Sequence, residues 1–243
     1  MDDKFWQIRA AKYDKLFWTK DESYIDLIIK MGDLEKSDLV LDVGTGTGVV
    51  GRAIQPFVNH VIGLDNSAAM LEKGDWEGIS IVKWDIADRI FKDALFNKIF
   101  ARMVFHHILE NLDKTFIRCY DLLKDGGKLV VAEGVPPSDD PEIIQWYADM
   151  FALKEERRVF TKAELEHRFL KNGFKNISTC IHEMNSFNVH NWIMNSGLSK
   201  ENSDKIIDMH YNAPSKVKDA YNMRITDDTC FIDTQNVIVV GEK

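Results

Sequence analysis

The stretch Leu39-Val40-Leu41-Asp42-Val43-Gly44-Thr45-Gly46-Thr47-Gly48 constrains this chain more than any other. A short apolar strand runs into a turn with glycine at every second position, and a helix is expected to follow. Glycines there permit backbone angles and close approaches that a β-carbon forbids. The unpaired amides that open the helix can face a ligand's polar groups. Two other glycine loops compete with this reading. A P-loop requires Gly-Lys-Ser/Thr, and no such tripeptide follows Gly48. Gly46, Gly48 and Gly51 do match the dinucleotide fingerprint Gly-x-Gly-x-x-Gly. That fingerprint begins as its strand ends, whereas here Gly44 already occupies the turn. Register therefore disfavours NAD without removing it, and a tight turn that binds nothing is the third reading.

Length and charge narrow the field. A chain of 243 residues accommodates one large α/β domain or one with an elaborated cap. The net charge of −8 and pI near 5.4 provide no electrostatic footprint for nucleic acid. A small molecule is the favoured partner. Cys119, Cys180 and Cys230 are distant from one another and lack metal-ligand spacing, as expected of small buried hydrophobes in a reducing cytoplasm. The N-terminus lacks a signal-peptide pattern, and no apolar run approaches the roughly 20 residues that span a bilayer. A cytoplasmic protein without membrane insertion, monomeric or homodimeric, is expected.

Strand and helix signals alternate along the chain. Strands are expected at 39–43, 60–65, 79–85, 98–103 and 128–133, with helices between them, the pattern of a parallel sheet covered on both faces. Trp6, Ala10, Tyr13 and Phe17 share one face of an N-terminal helix, and a second helix over 22–31 stops at Gly32. After the fifth strand come a helix over 142–154 and a capping box at Thr161-Lys162-Ala163-Glu164. Two late strands follow, at 175–181 and 236–240, separated by a long segment from Glu183 to Thr234. That segment reads as a helical cap, and its aromatic residues, with Trp146, Tyr147 and Phe151, predict an enclosed apolar pocket.

Acidic residues end the second and third strands. Asp65, beyond the glycine turn, is placed to accept both ribose hydroxyls of a nucleotide, with Asn66-Ser67 as the competing helix cap and Met70 one turn on. Asp85 ends the third strand and is followed by Ile86. Together with Asp42 to Gly48 and the Asp125-Gly126-Gly127 turn, this pattern resembles the class I S-adenosylmethionine (SAM) methyltransferases. The resemblance is to the small-molecule enzymes of the ubiquinone/menaquinone-biosynthesis type. In place of that family's usual Pro-Gly-Gly, the chain has Asp125-Gly126-Gly127. The resemblance implies an α/β, Rossmann-like, seven-stranded and mostly parallel sheet with helices on both faces. Residues 1–32 would form an N-terminal helical lid, 37–182 and 231–243 the SAM-binding core, and 183–230 a helical cap inserted between the last two strands. It implies SAM as cofactor and S-adenosylhomocysteine as product. The implied contacts are Asp42, Gly44, Thr45, Gly46 and Gly48 of the loop, Asp65 and Asn66 at the ribose, and Met70, Asp85 and Ile86 at the adenine. Arg102 and Tyr13, which falls in an Ala-x-x-Tyr-Asp segment, would meet the methionine end.

The fourth strand ends in Arg102-Met103-Val104-Phe105-His106-His107. In such folds ligands bind in the crevice between strands one and four. His106 is the better candidate to face an acceptor and remove its proton, and His107 to orient or cap. Arg102 is a minor candidate to steer an anionic acceptor. No metal-ligand spacing is present. The leading function is SAM-dependent methyl transfer to a small molecule by in-line displacement. An NAD-dependent oxidoreductase and a non-catalytic SAM-binding protein are the alternatives.

Overall fold

A computed structural model describes residues 3–10 and 12–243. The chain opens with α1 (Asp3–Ala10) and α2 (Glu22–Gly32). Then β1 (Leu39–Val43), α3 (Val49–Ile54), β2 (His60–Asp65), α4 (Ala68–Leu71), β3 (Ile79–Lys83) and β4 (Phe96–Arg102) alternate. They lead into α5 (Leu112–Leu122), β5 (Leu123–Val135), α6 (Pro141–Lys154), α7 (Lys162–Lys171) and β6 (Lys175–Asn188). The last part holds α8 (Val189–Asn195), α9 (Lys200–Tyr211), α10 (Ser215–Ala220), β7 (Arg224–Ile225) and β8 (Cys230–Glu242).

The strand order is β3-β2-β1-β4-β5-β8-β6. β1 to β5 pair in parallel, and β8 runs antiparallel to both β5 and β6. The sheet has eight strands rather than seven, because the two-residue β7 pairs with β8 off the main path.

Side chains alternate across the sheet with a period of two, and two cores result. Leu41, Ile99, Ala101, Leu129, Val131, Val237 and Val239 pack against α5 and α7 through Phe116, Cys119, Leu165 and Phe169. Val40, Phe100, Val130, Ala132, Ile238 and Val240 face the other way, onto Tyr24, Ile25 and Ile28 of α2 and Val50 and Ile54 of α3. α2 is anchored by Asp21, whose side chain accepts from the Tyr24 amide at 3.1 Å. Thr161 caps α7 in the same way through the Glu164 amide at 3.2 Å.

β3 stops at Lys83, short of Asp85, and β5 starts at Leu123, ahead of Lys128. Three other expected boundaries move. α1 stops at Ala10, and the chain continues in short 3-10 turns at Tyr13–Lys15 and Phe17–Lys20. The side chain of Phe17, expected on the face of Trp6 and Tyr13, lies outside the described residues. β6 and β8 extend well past their apolar centres, pairing as far as Asn188 with Phe231. The outer part of this hairpin is solvent-facing on one side, so Glu183, Asn185 and Ser186 interrupt the apolar pattern while Met184 and Phe187 stay buried. A bulge between Met184 and Phe187, with Ser186 at φ 58°, shifts the register. The third change concerns the end of α2: the left-handed cap is Asp33, at φ 51°, and Gly32 is the last helical residue. Gly32 is required for packing, since a β-carbon there would lie 2.4 Å from the Phe100 ring.

Gly32→Ala therefore forces apart two well-packed elements. A loss of about 1–3 kcal/mol in urea unfolding is expected. An unchanged midpoint would show that the α2–β4 contact is slack.

Candidate active site

At the carboxyl ends of β1, β2 and β4, a solvent-open cleft encloses about 1470 Å³. The glycine loop forms one wall. Gly44, at φ +64°, comes so close to Val104 that a β-carbon would sit 2.2 Å from its Cγ2. Gly44 and Gly46 line the cleft. Asp42, Thr45 and Gly48 stand behind this wall rather than on it. The Asp42 carboxylate is buried, accepting from Thr45 Oγ1 at 2.6 Å and from the Gly51 amide at 3.1 Å. It ties the end of β1 to α3, and burial pushes it up to about 6 against the Thr45 bond and the Arg102 charge. Gly48 is the left-handed N-cap of α3 at φ 83°.

Asp65 faces the cleft from the end of β2. Its two oxygens accept from the amides of Gly46 at 2.9 Å and Ser67 at 2.8 Å. A carboxylate offers about four acceptor positions, so capacity for ribose hydroxyls is left. Burial raises the Asp65 carboxyl, opposed by the same two amides. Asp85 is exposed on the rim; its Oδ1 accepts from the Ala87 amide at 2.8 Å, and its Oδ2 lies 3.5 Å from Asn66 Nδ2. Between these acids Leu64, Met70 and Ile86 offer an apolar slot. Arg102 and Tyr13 lie on the side toward β4. Apolar slot, flanking acids and glycine cradle together fit the adenosine of SAM.

A second cavity, about 990 Å³ with its open mouth included, lies between α6, the outer ends of β6 and β8, and α8. Tyr147, Phe151, Phe187, Trp192 and Tyr221 give it aromatic walls. It shares Trp6, Tyr13, Met103 and His107 with the cleft. The two spaces therefore meet at the end of β4, where Met103 is held at φ 57° and its amide donates to Ala132 O at 2.8 Å.

Glu133, near the end of β5, organises this junction. It is fully buried, and its Oε1 accepts from the amides of Val104, Phe105 and His106 at 3.0, 2.6 and 3.3 Å. Its Oε2 lies 2.6 Å from His106 Nδ1. Burial raises the Glu133 carboxyl to about 7, while Arg157 and the amides pull it down. Three amides on one oxygen favour the ionised form, so Nδ1–H donates and Nε2 is left as acceptor. Burial and the nearby Arg157 hold His106 well below its ordinary range. His106 lines the aromatic chamber, and His107 stands at the junction, edge-on to Trp6 at 5.0 Å.

Glu155, at the end of α6, faces the same histidines, with its Oε1 3.9 Å from His106 Nε2. Arg9, Lys154 and Arg157 surround it at 2.5, 2.8 and 3.4 Å. Burial favours its neutral form, but Lys154 and Arg9 outweigh that and keep the carboxyl well below its usual range. His106, His107 and Glu155 have ligand atoms within 4.8 Å of one another, near enough to be considered as a metal-binding trio. Arg9, Arg157 and the Lys154 amine, which burial lowers to about 7, already converge on the only carboxylate of that trio, which opposes another cation. Glu133, Glu155, Arg157 and Arg9 were not legible as site residues in the sequence; a glutamate among the apolar residues of β5 was the one available signal.

Residues 17–179 match the methyltransferase-domain family. The chain belongs to that family, and its fold is that of a class I SAM-dependent methyltransferase. The methyltransferase YcgJ of Bacillus subtilis is 22% identical over 205 residues, covering 81% of this chain and 80% of that protein. The YcgJ crystal structure superposes with a TM-score of 0.79 at 20% identity, covering 91% of this chain and 98% of YcgJ. The protein BH2331 of Bacillus halodurans C-125 superposes with a TM-score of 0.80 at 18% identity, over 91% and 99% of the two chains. The sterol 24-C-methyltransferase of Eremothecium gossypii is 33% identical over 111 residues, 42% of this chain and 30% of that protein. The chain thus matches under a third of the length of this curated relative.

Asp65→Ala should weaken SAM binding in titration calorimetry by about 1.5–3 kcal/mol per lost charge-assisted bond. Asp85→Asn should lose less, since an amide oxygen still accepts. Unchanged affinity in a folded Asp65→Ala protein, or equal losses in the two variants, would contradict these assignments.

Proposed function

We propose that this chain transfers a methyl group from SAM to a small acceptor held in the aromatic chamber. The observation that carries the reading is the meeting of the cleft behind the glycine loop and the aromatic chamber at Met103 and His107. SAM supplies an electrophilic methyl on its sulfonium. Asp65, Asp85, Met70 and Ile86 hold the nucleoside, and Arg102, Tyr13 and the glycine loop orient its amino-acid end. Alignment of two reactants across the junction offsets up to about 7–11 kcal/mol of barrier. Residues 1–32 serve as a lid and 183–230 as a cap over the core of 37–182 and 231–243, and the aromatic walls exclude water.

His106 Nε2 takes the proton of an acceptor that must lose one, and Glu133 positions the imidazole by accepting from Nδ1–H. The NAD alternative is disfavoured by topology as well as by register. Dinucleotide folds place their sixth strand directly beside the fifth in the order 3-2-1-4-5-6, whereas here β8 is inserted antiparallel between β5 and β6. The same reading has the protein cytoplasmic, monomeric or homodimeric, without nucleic acid as partner. The free thiols of Cys119, Cys180 and Cys230 accord with a reducing compartment.

Calorimetry with SAM and NAD separates the two nucleotides, and labelled SAM with a metabolite extract separates an enzyme from a passive binder. SAM affinity with labelled product is expected; NAD affinity alone would overturn the reading. His106→Ala should lower kcat by about 10²–10⁴-fold while SAM affinity stays near wild type. The Glu133 carboxyl sits near 7, so it takes up a proton as pH falls through that value and its hold on Nδ1–H weakens. The kcat profile should therefore fall on the acid side of about pH 7, and Glu133→Gln should flatten that limb at a reduced rate. An unaltered limb in the variant would remove Glu133 from this role.

A further inference from the structure

The methyl-transfer reading leaves one buried group of charges unused. Arg9 from α1, Lys154 from the end of α6 and Arg157 just beyond it all line the aromatic chamber. Their side chains are nearly inaccessible, Lys154 and Arg157 each at 6% exposure and Arg9 at 9%. All three approach the carboxylate of Glu155, at 2.5, 2.8 and 3.4 Å. Glu133, the other buried acid nearby, is saturated by three amides and the His106 ring. Buried cations cost several kcal/mol each unless paired and hydrogen-bonded.

Arg157 is the least satisfied of the three. Its Nη1 reaches Glu155 only at 3.4 Å, and its Nε donates to Arg158 O at 3.3 Å. Its Nη2 is buried with no hydrogen-bond partner. The guanidinium lies over the Phe151 ring, 4.1 Å from the centroid, so its plane is fixed on the chamber wall. A planar fork held in this way matches an oxyanion in a bidentate manner.

Resting on the methyl-transfer reading, we propose that the acceptor is an apolar molecule bearing a carboxylate or phosphate. The oxyanion is bound by Arg157 with Lys154 and Arg9, and the apolar body lies against Phe187 and Trp192. The anionic role foreseen for Arg102 passes to Arg157, since Arg102 lines the cleft and not the chamber. Binding the oxyanion at this end fixes the acceptor's other end relative to the junction, so one recognition event sets both affinity and alignment.

The test uses the full chain saturated with S-adenosylhomocysteine and three probes sharing one apolar body: 3-phenylpropionate, 3-phenylpropyl phosphate and neutral 3-phenylpropanol. Calorimetry should show at least one anionic probe binding tenfold or more tighter than the alcohol, and the better of the two identifies the oxyanion class. Arg157→Gln should erase that preference while homocysteine-nucleoside affinity stays within twofold of wild type, and Arg157→Lys should retain part of it. If neither anion binds, if the alcohol binds as well as both, or if Arg157→Gln leaves the preference intact, the proposal is overturned. Should Arg157→Gln fail to fold, the Arg157→Lys loss and the wild-type probe ranking decide. Absence of S-adenosylhomocysteine binding would instead strike the methyl-transfer reading, and the anion ranking can then still be measured on the unliganded protein.

Discussion

The buried carboxylate of Glu133 is the interaction on which the site depends. It gathers three consecutive amides, from Val104 to His106, and the His106 ring. These contacts close the turn after β4 and fix where the cleft ends and the chamber begins. An ionised group without those donors would be untenable at full burial. With them it converts a flexible strand end into a wall with one imidazole nitrogen directed at the chamber. The segment after α6 joins the same wall, since the Arg158 amide donates to His106 O at 2.8 Å and brings Glu155 and Arg157 with it.

Asp42 has a parallel role on the cofactor side. Both acids are buried near the end of a core strand and both are drawn up by desolvation; Asp42 is held by Thr45 of the glycine turn and Gly51 of α3, and Glu133 by the turn after the neighbouring strand β4. The fold thus places a carboxylate beneath each of two loops, one under the glycine turn and one under the His106 turn. Ligand-facing groups are then the neighbours of these acids rather than the acids themselves.

Much of this was legible in the sequence wherever the signal is local. The glycine turn, the acid ending β2 and the strand–helix alternation occupy short stretches and appear where their spacing placed them, while Asp85 lies two residues beyond β3, which stops at Lys83. Gly44, Gly46, Asp65, Asn66, Met70, Asp85, Ile86, Arg102 and Tyr13 all come to one cleft. The misreadings have physical causes. The orientation of Asp42 was not legible, because a strand-end acid beside a glycine loop has the same sequence whether it points outward or beneath the loop. The late strands were drawn short because half of each outer hairpin face is solvated and polar. The charged floor of the chamber was not visible at all, since Arg9 and Glu155 meet across 146 residues of sequence and no spacing rule links them.

The most direct measurement of the central claim is a crystal structure of the protein with S-adenosylhomocysteine. The account predicts the ribose on Asp65, the adenine between Met70 and Ile86, and the sulfur facing the aromatic chamber beside Met103 and His107. A nucleoside bound in that cleft with its sulfur turned away from the chamber, or bound elsewhere on the molecule, would contradict it.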